Sequence, residues 1–359
     1  MNIGISCRLS SSHKNSSVKQ AAINLYDCLT DAGHNVTYLS DSRNISNFNK
    51  DHVAHEMSRA HEEGFPDLDL IILHGFSISE EFAGQIKKRH KTCKIVMYHH
   101  GNRLAIDQHA LITGADFLNR MPFVDEIWLP PHHQNAAHYV KVFHNTDATV
   151  KTVPYLWSPF FVNQALKEKK RIKYDPSAKK QVIVLEPNRN SSKTCLVPLI
   201  ICENFNKVFP QACMSFSFFN TSQFRGNKSF NRFLEGFKSA KEDKLYFNKK
   251  WWTMDAIERV GQIILSHQTD NELNYLYFEA LYLGLPLIHN SPRIKEYGYY
   301  YPDSDILTAS NQIYNAILHH EENLAEYKKQ NNALIEKYSP TNPENIRKYA
   351  ETISHLSKK

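Results

Sequence analysis

Short apolar runs alternate with longer amphipathic segments along almost the whole chain. Residues 3–6 read as a strand, and residues 16–32 follow with Val18, Ala22, Leu25 and Leu29 at helical spacing. Gly33 then fits a C-cap. Apolar runs at 36–39, 68–73, 95–98, 126–129 and 149–153 predict further strands. Between them, 52–63 reads as a helix, and Ser79 is placed to cap another over 80–89. Strands that alternate with helices of about 10–15 residues imply βαβ units and a parallel sheet.

The pattern breaks at 166–180, LKEKKRIKYDPSAKK, a basic stretch with Pro176 that reads as an exposed connector. It restarts with strands at 182–185, 214–219, 245–247, 263–265 and 286–288, and with a helix over 193–206. The chain closes in helical segments at 312–338 and 343–357, separated by Pro340 and Pro343, and the aromatic run 297–301 is expected to pack under them. The expected organisation is an N-terminal Rossmann-like domain over 1–166, onto which a C-terminal helix at 341–359 packs back, and a second Rossmann-like domain over 167–340. The expected fold class is α/β, with two Rossmann-like parallel-sheet domains facing across a cleft. Ligands of open parallel sheets bind beyond the carboxyl ends of the strands, which puts the site in that cleft. This expected organisation resembles the GT-B glycosyltransferase architecture. Sugar-nucleotide epimerases and phosphorylases share it, so the fold alone does not choose the chemistry.

Composition narrows the class. With 359 residues, 42% hydrophobic and 22% charged, the chain is of two-domain size and ordinary globular usage, which excludes disordered and fibrous chains. No apolar run approaches the ~20 residues of a membrane span, and the N-terminus lacks a secretory pattern, so a cytoplasmic protein without a membrane partner is expected. A monomer or weak dimer is expected. The six cysteines are scattered without a CxxC pair, which reads as reduced core thiols. The net charge of +6 suits a polyanionic partner or a phosphorylated substrate, and equally a solvated lysine surface.

Candidate chemistry begins at the opening loop of each half. Neither has GxGxxG: the first runs from Ser10 through His13 to Asn15, the second from Glu186 through Asn188 to Lys193. NAD and FAD are therefore not expected. Arg189 and Lys193 lie four apart at the mouth of a helix expected from about Ser192, where two cations and free amide donors would clamp a pyrophosphate. No HExxH, CxxC or DxD pair occurs, so no obligatory metal is expected. The clamp and helix dipole would stabilise a leaving diphosphate instead.

The segment 269–288, TDNELNYLYFEALYLGLPLI, resembles the sugar-nucleotide-binding segment of GT-B glycosyltransferases. That resemblance gives Glu279 the role of accepting hydrogen bonds from the nucleotide ribose. The common retaining pattern has a second glutamate eight residues earlier, where this chain has Asn271 with Glu272 beside it. Arg189, Lys193, Asn271 and Glu279 together also resemble the DNA β-glucosyltransferases of T-even phages, as does 94–104, KIVMYHHGNRL. Gly101 stands where those enzymes carry an aspartate proposed as base, while Arg103 and Leu104 are kept. A longer stretch, SHQTDNELNYLYFEALYLGLPLIHNSPRIKEYGYYY, resembles an uncharacterised family, domain of unknown function 2827. Some phage members of that family are thought to be DNA arabinosyltransferases.

The first half is expected to hold the acceptor. His74, His99, His100, Asn102 and Arg103 fall just past strand ends, with His13 in the first loop. His100 and Asp107 are the candidate catalytic residues, since histidine and carboxylate both serve as general bases. Trp251 and Trp252 could stack on uracil or belong to the core, and His267 and Gln268 end the strand before the donor segment, where they are expected to point toward the same ligand. The reading is a glycosyltransferase moving arabinose or glucose from UDP-arabinose or UDP-glucose to a modified cytosine of phage DNA. The rivals are a glycosyltransferase of bacterial surface glycans and a non-catalytic nucleic-acid-binding protein on the same scaffold.

Overall fold

The computed structural model describes residues 1–9, 17–41, 51–115, 118–169 and 171–357. The chain divides into two compact units, Met1–Ser158 with Glu336–Lys359, and Pro159–Ile335. The first boundary falls before the expected connector because residues 160–168 are helical and belong to the second unit.

The first unit runs β1 (Asn2–Ser6), α1 (Ser17–Asp31), β2 (Asn35–Ser40), β3 (Ala54–Glu56), β4 (Leu70–Leu73), α2 (Glu80–Arg89), β5 (Lys94–Tyr98), α3 (Arg103–Thr113), β6 (Glu126–Leu129), α4 (Ala137–His144) and β7 (Thr149–Thr152). Its seven strands are parallel in the order β3-β2-β1-β4-β5-β6-β7. Ile3, Ile5, Ile71, Ile72, Ile95 and Ile127 are fully buried, as expected of parallel strands covered on both faces. The Ser79 hydroxyl accepts from the Phe82 amide at 3.1 Å and caps α2 as its position suggests.

Residues 52–63 depart from the expected helix. They form β3 and then a short 3₁₀ turn, Met57–Arg59. The open edge of β2 takes a parallel partner there, with Tyr38 opposite Ala54 and Ser40 opposite Glu56. That pairing overrides local helical spacing, and Met57 and Ala60 still reach the core.

The second unit contains α5 (Phe160–Glu168), β8 (Gln181–Val184), α6 (Leu196–Val208), β9 (Ser215–Phe218), α7 (Lys228–Leu234), α8 (Lys238–Lys241), β10 (Leu245–Phe247), α9 (Thr253–Arg259), β11 (Ile263–Ser266), α10 (Tyr275–Leu283), β12 (Leu287–His289), β13 (Tyr299–Tyr300), α11 (Ile306–His319) and most of α12 (Leu324–Tyr338). Its six parallel strands are ordered β10-β9-β8-β11-β12-β13, the pattern of the first sheet. Helix α13 (Pro343–Ser357) returns to the first unit and packs on α1, and the Tyr349 hydroxyl donates to the Pro154 carbonyl at 2.8 Å.

The single helical segment expected over 312–338 is two helices. Asp305 caps α11 early by accepting from the Thr308 amide at 3.0 Å. At its far end the buried His320 bonds the Gly284 carbonyl through Nε2 at 2.9 Å, and the chain turns before α12 begins. Within the aromatic run, Tyr299 and Tyr300 form the edge strand β13 beside β12.

Candidate functional site

In each sheet the strand order reverses beside the first strand of the unit, between β1 and β4 and between β8 and β11. Loops leaving such neighbours run to opposite sides and leave a crevice at the carboxyl edge, where open α/β sheets bind ligands. In the second unit the two loops carry five of the seven expected donor residues, Asn188, Arg189, Lys193, His267 and Asn271.

Asn188 holds the loop after β8 together. Its φ of 53° is a left-handed conformation that asparagine tolerates. Its backbone N–H donates to the Lys193 carbonyl at 3.0 Å, its Nδ2 donates to the Glu186 carbonyl at 2.9 Å, and its Oδ1 accepts from the Cys195 amide at 2.7 Å. This closure keeps 188–193 out of the helix, so α6 starts at Leu196 rather than at the expected 193. Arg189 and Lys193 therefore sit in a closed loop ahead of the helix, not in its first turn. Arg189 is exposed and Lys193 half-buried. Desolvation lowers the Lys193 pKa, and the nearby Glu186 carboxylate acts against that shift.

Glu186 and Lys250 are two residues that the sequence did not single out. Glu186 is 1% exposed just past β8. Its Oε1 accepts from Ser266 Oγ, and its Oε2 accepts from Gln268 Nε2 at 3.2 Å. Burial pushes its carboxyl up to about 7, against the hydrogen bonds and Lys193, which favour the anion. Gln268 in turn accepts from Asn271 Nδ2 through its Oε1. A backbone bond from the Thr269 amide to the Ser192 carbonyl, 2.9 Å, ties the two loops directly. Lys250, in the loop after β10, has its pKa lowered by burial and by the charge of Arg189, so two cations share that part of the edge.

Asn271 is 4% exposed and held by Gln268 and by the Leu273 carbonyl. Glu279 lies in α10, where eight of nine residues are buried, so the helix is apolar on nearly every face. Glu279 itself is only 7% exposed. Asn274 caps the helix by accepting from the Leu276 amide at 3.3 Å, and Gly284 ends it at φ 71°. The His267 ring is held by Tyr301, with Nδ1 and the hydroxyl 3.1 Å apart, and burial lowers its pKa to about 4. Trp252 stands at the start of α9 with Lys169 Nζ 5.6 Å from its ring centre. Trp251 packs on Phe219.

The first-unit candidates divide differently. His74 follows β4. Its Nε2 bonds the Val18 carbonyl at 3.2 Å, and its ring stacks on Tyr98 and meets the edge of His100. Beside it, a Cβ on Gly75 would come within 2.9 Å of the Ser6 carbonyl and Cys7 Cα, so the close approach of the β1 and β4 ends requires glycine. His100 is half-buried and stacks on Tyr155, which also meets His132. Asn102 caps α3 by accepting from the Ala105 amide at 3.0 Å. His13 lies outside the described residues.

Two of these residues are buried against partners. His99 follows β5. It is 5% exposed, and its Nε2 pairs with His144 Nε2 at 2.9 Å. Asp107 lies on α3. Its carboxylate is 3% exposed and accepts from Arg103 and from the Tyr139 hydroxyl at 2.8 Å, which also commits Arg103. Among the described residues, no group of three or more His, Cys, Asp or Glu is placed to hold a metal, and no helix is long and apolar enough to cross a membrane.

Several basic residues that add to the positive charge already have acidic partners. Lys87 pairs with Asp125 at 3.1 Å, and Arg89 with Asp67 at 3.0 Å. Lys169 pairs with both Asp255 at 2.6 Å and Glu258 at 2.8 Å.

The model of a family described as "Protein of unknown function (DUF2827)" matches residues 3–353, and the chain belongs to that family. No curated protein matches it in sequence. Among solved structures, HepE of Anabaena in complex with UDP-glucose is 12% identical with a TM-score of 0.55, covering 99% of this chain and 100% of that one. BGT of T4 phage in complex with its UDP-glucose substrate is 11% identical with a TM-score of 0.53, covering 100% of both chains. The pneumococcal O-GlcNAc transferase GtfA is 14% identical with a TM-score of 0.49; the match covers 84% of this chain but spans only 60% of that one. At these identities the likeness to HepE and BGT is one of fold, the GT-B fold of two parallel-sheet α/β units.

Proposed function

We propose that this member of the DUF2827 family is a nucleotide-sugar-dependent glycosyltransferase that binds a UDP-sugar at the strand-order reversal of its second unit. One observation carries the reading: the tied loops after β8 and β11 bring Arg189, Lys193 and Asn271 to the carboxyl edge where ligands of such sheets bind. The shared fold with HepE and BGT, both solved with UDP-glucose, supports it. Arg189 and Lys193 take the charge of the leaving diphosphate, and Asn188 shapes their loop. Glu279 accepts the ribose hydroxyls, to which a carboxylate offers only acceptors. UDP-glucose and UDP-arabinose are the donors proposed.

The acceptor proposed is a hydroxyl of modified cytosine in phage DNA, received by the first unit. The fold shared with T4 phage BGT over the full length and the net charge of +6 support this. His100 is the residue proposed to accept the hydroxyl proton. A bacterial surface glycan is the second reading, favoured by the carboxylate partners of Lys87, Arg89 and Lys169. The test is incubation with UDP-glucose or UDP-arabinose and hydroxymethylcytosine DNA, followed by mass analysis of the nucleosides. A glycosylated nucleoside supports the DNA reading. Donor binding without nucleoside modification moves the acceptor to a glycan, and no donor binding overturns the glycosyltransferase reading itself.

A further inference from the structure

We propose that Glu186 takes up a proton when an anionic diphosphate binds beside Lys193, so that donor binding is coupled to protonation of a buried carboxyl group. The proposal rests on reading the second unit as a donor site and concerns a residue that this reading leaves without a task.

Asn188 bonds the backbone carbonyls of both Glu186 and Lys193 and so holds the two residues in one closed loop. Glu186 is 1% exposed, with Ser266 on one oxygen and Gln268 on the other, so its charge is screened by almost no water. The groups facing it are Lys193 from its own loop, Cys195 at the start of α6, Ser266, His267 and Gln268 from the end of β11, Tyr277 of α10 and Tyr301 after β13. Burial pushes the Cys195 thiol up to about 12 and raises both tyrosines, so all three are neutral near pH 7. His267 contributes a backbone N–H bond, and its ring is neutral because burial holds its pKa at about 4. Lys193 is thus the charged partner of Glu186 among these groups.

A diphosphate that takes Lys193 adds negative charge beside the buried carboxylate and offsets the cation that stabilised it. Both effects favour the neutral acid. Burial already places Glu186 at about 7, so a modest change in local charge moves its protonation near neutral pH. The step is an uptake of one proton from solvent onto a carboxylate oxygen, with no other bond made or broken. Ser266 Oγ can reverse its role and accept from the new O–H, since a hydroxyl both donates and accepts.

Calorimetric titration with UDP-glucose, whose diphosphate has no group titrating near neutrality, tests this. In two buffers of different ionisation enthalpy near pH 7, the wild-type protein should show uptake of roughly half a proton per ligand bound, and affinity should fall as pH rises from about 6 to about 8. Glu186→Gln should bind UDP-glucose with no net proton uptake and with a flat profile over that window. Binding without proton exchange in the wild type overturns the proposal, as does equal uptake in the variant. If Glu186→Gln does not fold, Ser266→Ala replaces it. Removing that bond to the anion should move the midpoint to higher pH, and an unmoved midpoint overturns the proposal. Absence of UDP-glucose binding at any pH instead removes the donor reading, and this proposal with it.

Discussion

Arg103 holds the Asp107 carboxylate through Nε to Oδ2 at 2.8 Å and Nη2 to Oδ1 at 2.7 Å, one turn apart on α3. Both side chains are more than nine-tenths buried, and the Tyr139 hydroxyl adds a third donor. Removing one member of a buried pair strands the other charge. Asp107→Ala should therefore cost about 3–5 kcal/mol of stability. Denaturant unfolding checks this. Unchanged stability with loss of sugar transfer would return Asp107 to a chemical role.

The donor loop gives a second expectation. Lys193→Ala and Arg189→Ala should each weaken UDP binding, by about 1.5–3 kcal/mol for every charge-assisted hydrogen bond removed. The half-buried Lys193 should show the larger effect because its charge is less screened than that of the exposed Arg189. Calorimetry with UDP reads both, and equal affinity in both variants would take the loop out of the site.

Glu279 can be tested through the ligand as well as through the protein. If its carboxylate accepts the ribose hydroxyls, wild type should bind UDP more tightly than 2′-deoxy-UDP, by about 1.5–3 kcal/mol for the missing bond. Glu279→Ala should bind the two alike. A preference for UDP that survives the substitution rejects the ribose role. Loss of folding in this variant would instead show that the carboxylate supports the buried helix α10.

Acid should destabilise the protein in a defined window. Burial lowers His74, His144, His267 and His289 from 6.5 to about 4, so the folded state keeps these rings neutral. Below pH 6.5 the unfolded chain binds protons that the folded one refuses. Their contribution to stability is full above that pH and is lost progressively down to about pH 4. Thermal unfolding followed across this range should show Tm falling with pH. A flat Tm would mean that the rings are protonated in the folded state.

Salt decides between the acceptors. DNA binding should weaken linearly in log[salt], with a slope of roughly −0.9 per phosphate neutralised. Filter binding from low to physiological salt measures it. No affinity at low salt would select the glycan, consistent with cations already occupied by Asp125, Asp67, Asp255 and Glu258.

The alternation of apolar runs and amphipathic segments by itself determined the two parallel sheets, because a strand covered on both faces must be apolar along its length, as Leu70–Leu73 and Ile263–Leu265 are. Local side-chain bonds were equally legible: Ser79 reaches only three residues along the chain to cap α2. The Thr269–Ile288 segment carried its own signature through Glu279, and Arg189 with Lys193 could be placed on one loop by spacing. Only the tertiary structure decided which polar groups are spoken for. His99 finds His144 45 residues away, β3 forms because β2 has an open edge, and Glu186 meets Ser266 and Gln268 across 80 and 82 residues. Those partners come from elements far apart in sequence, and which elements are neighbours is set by the packing of the whole sheet rather than by any local pattern.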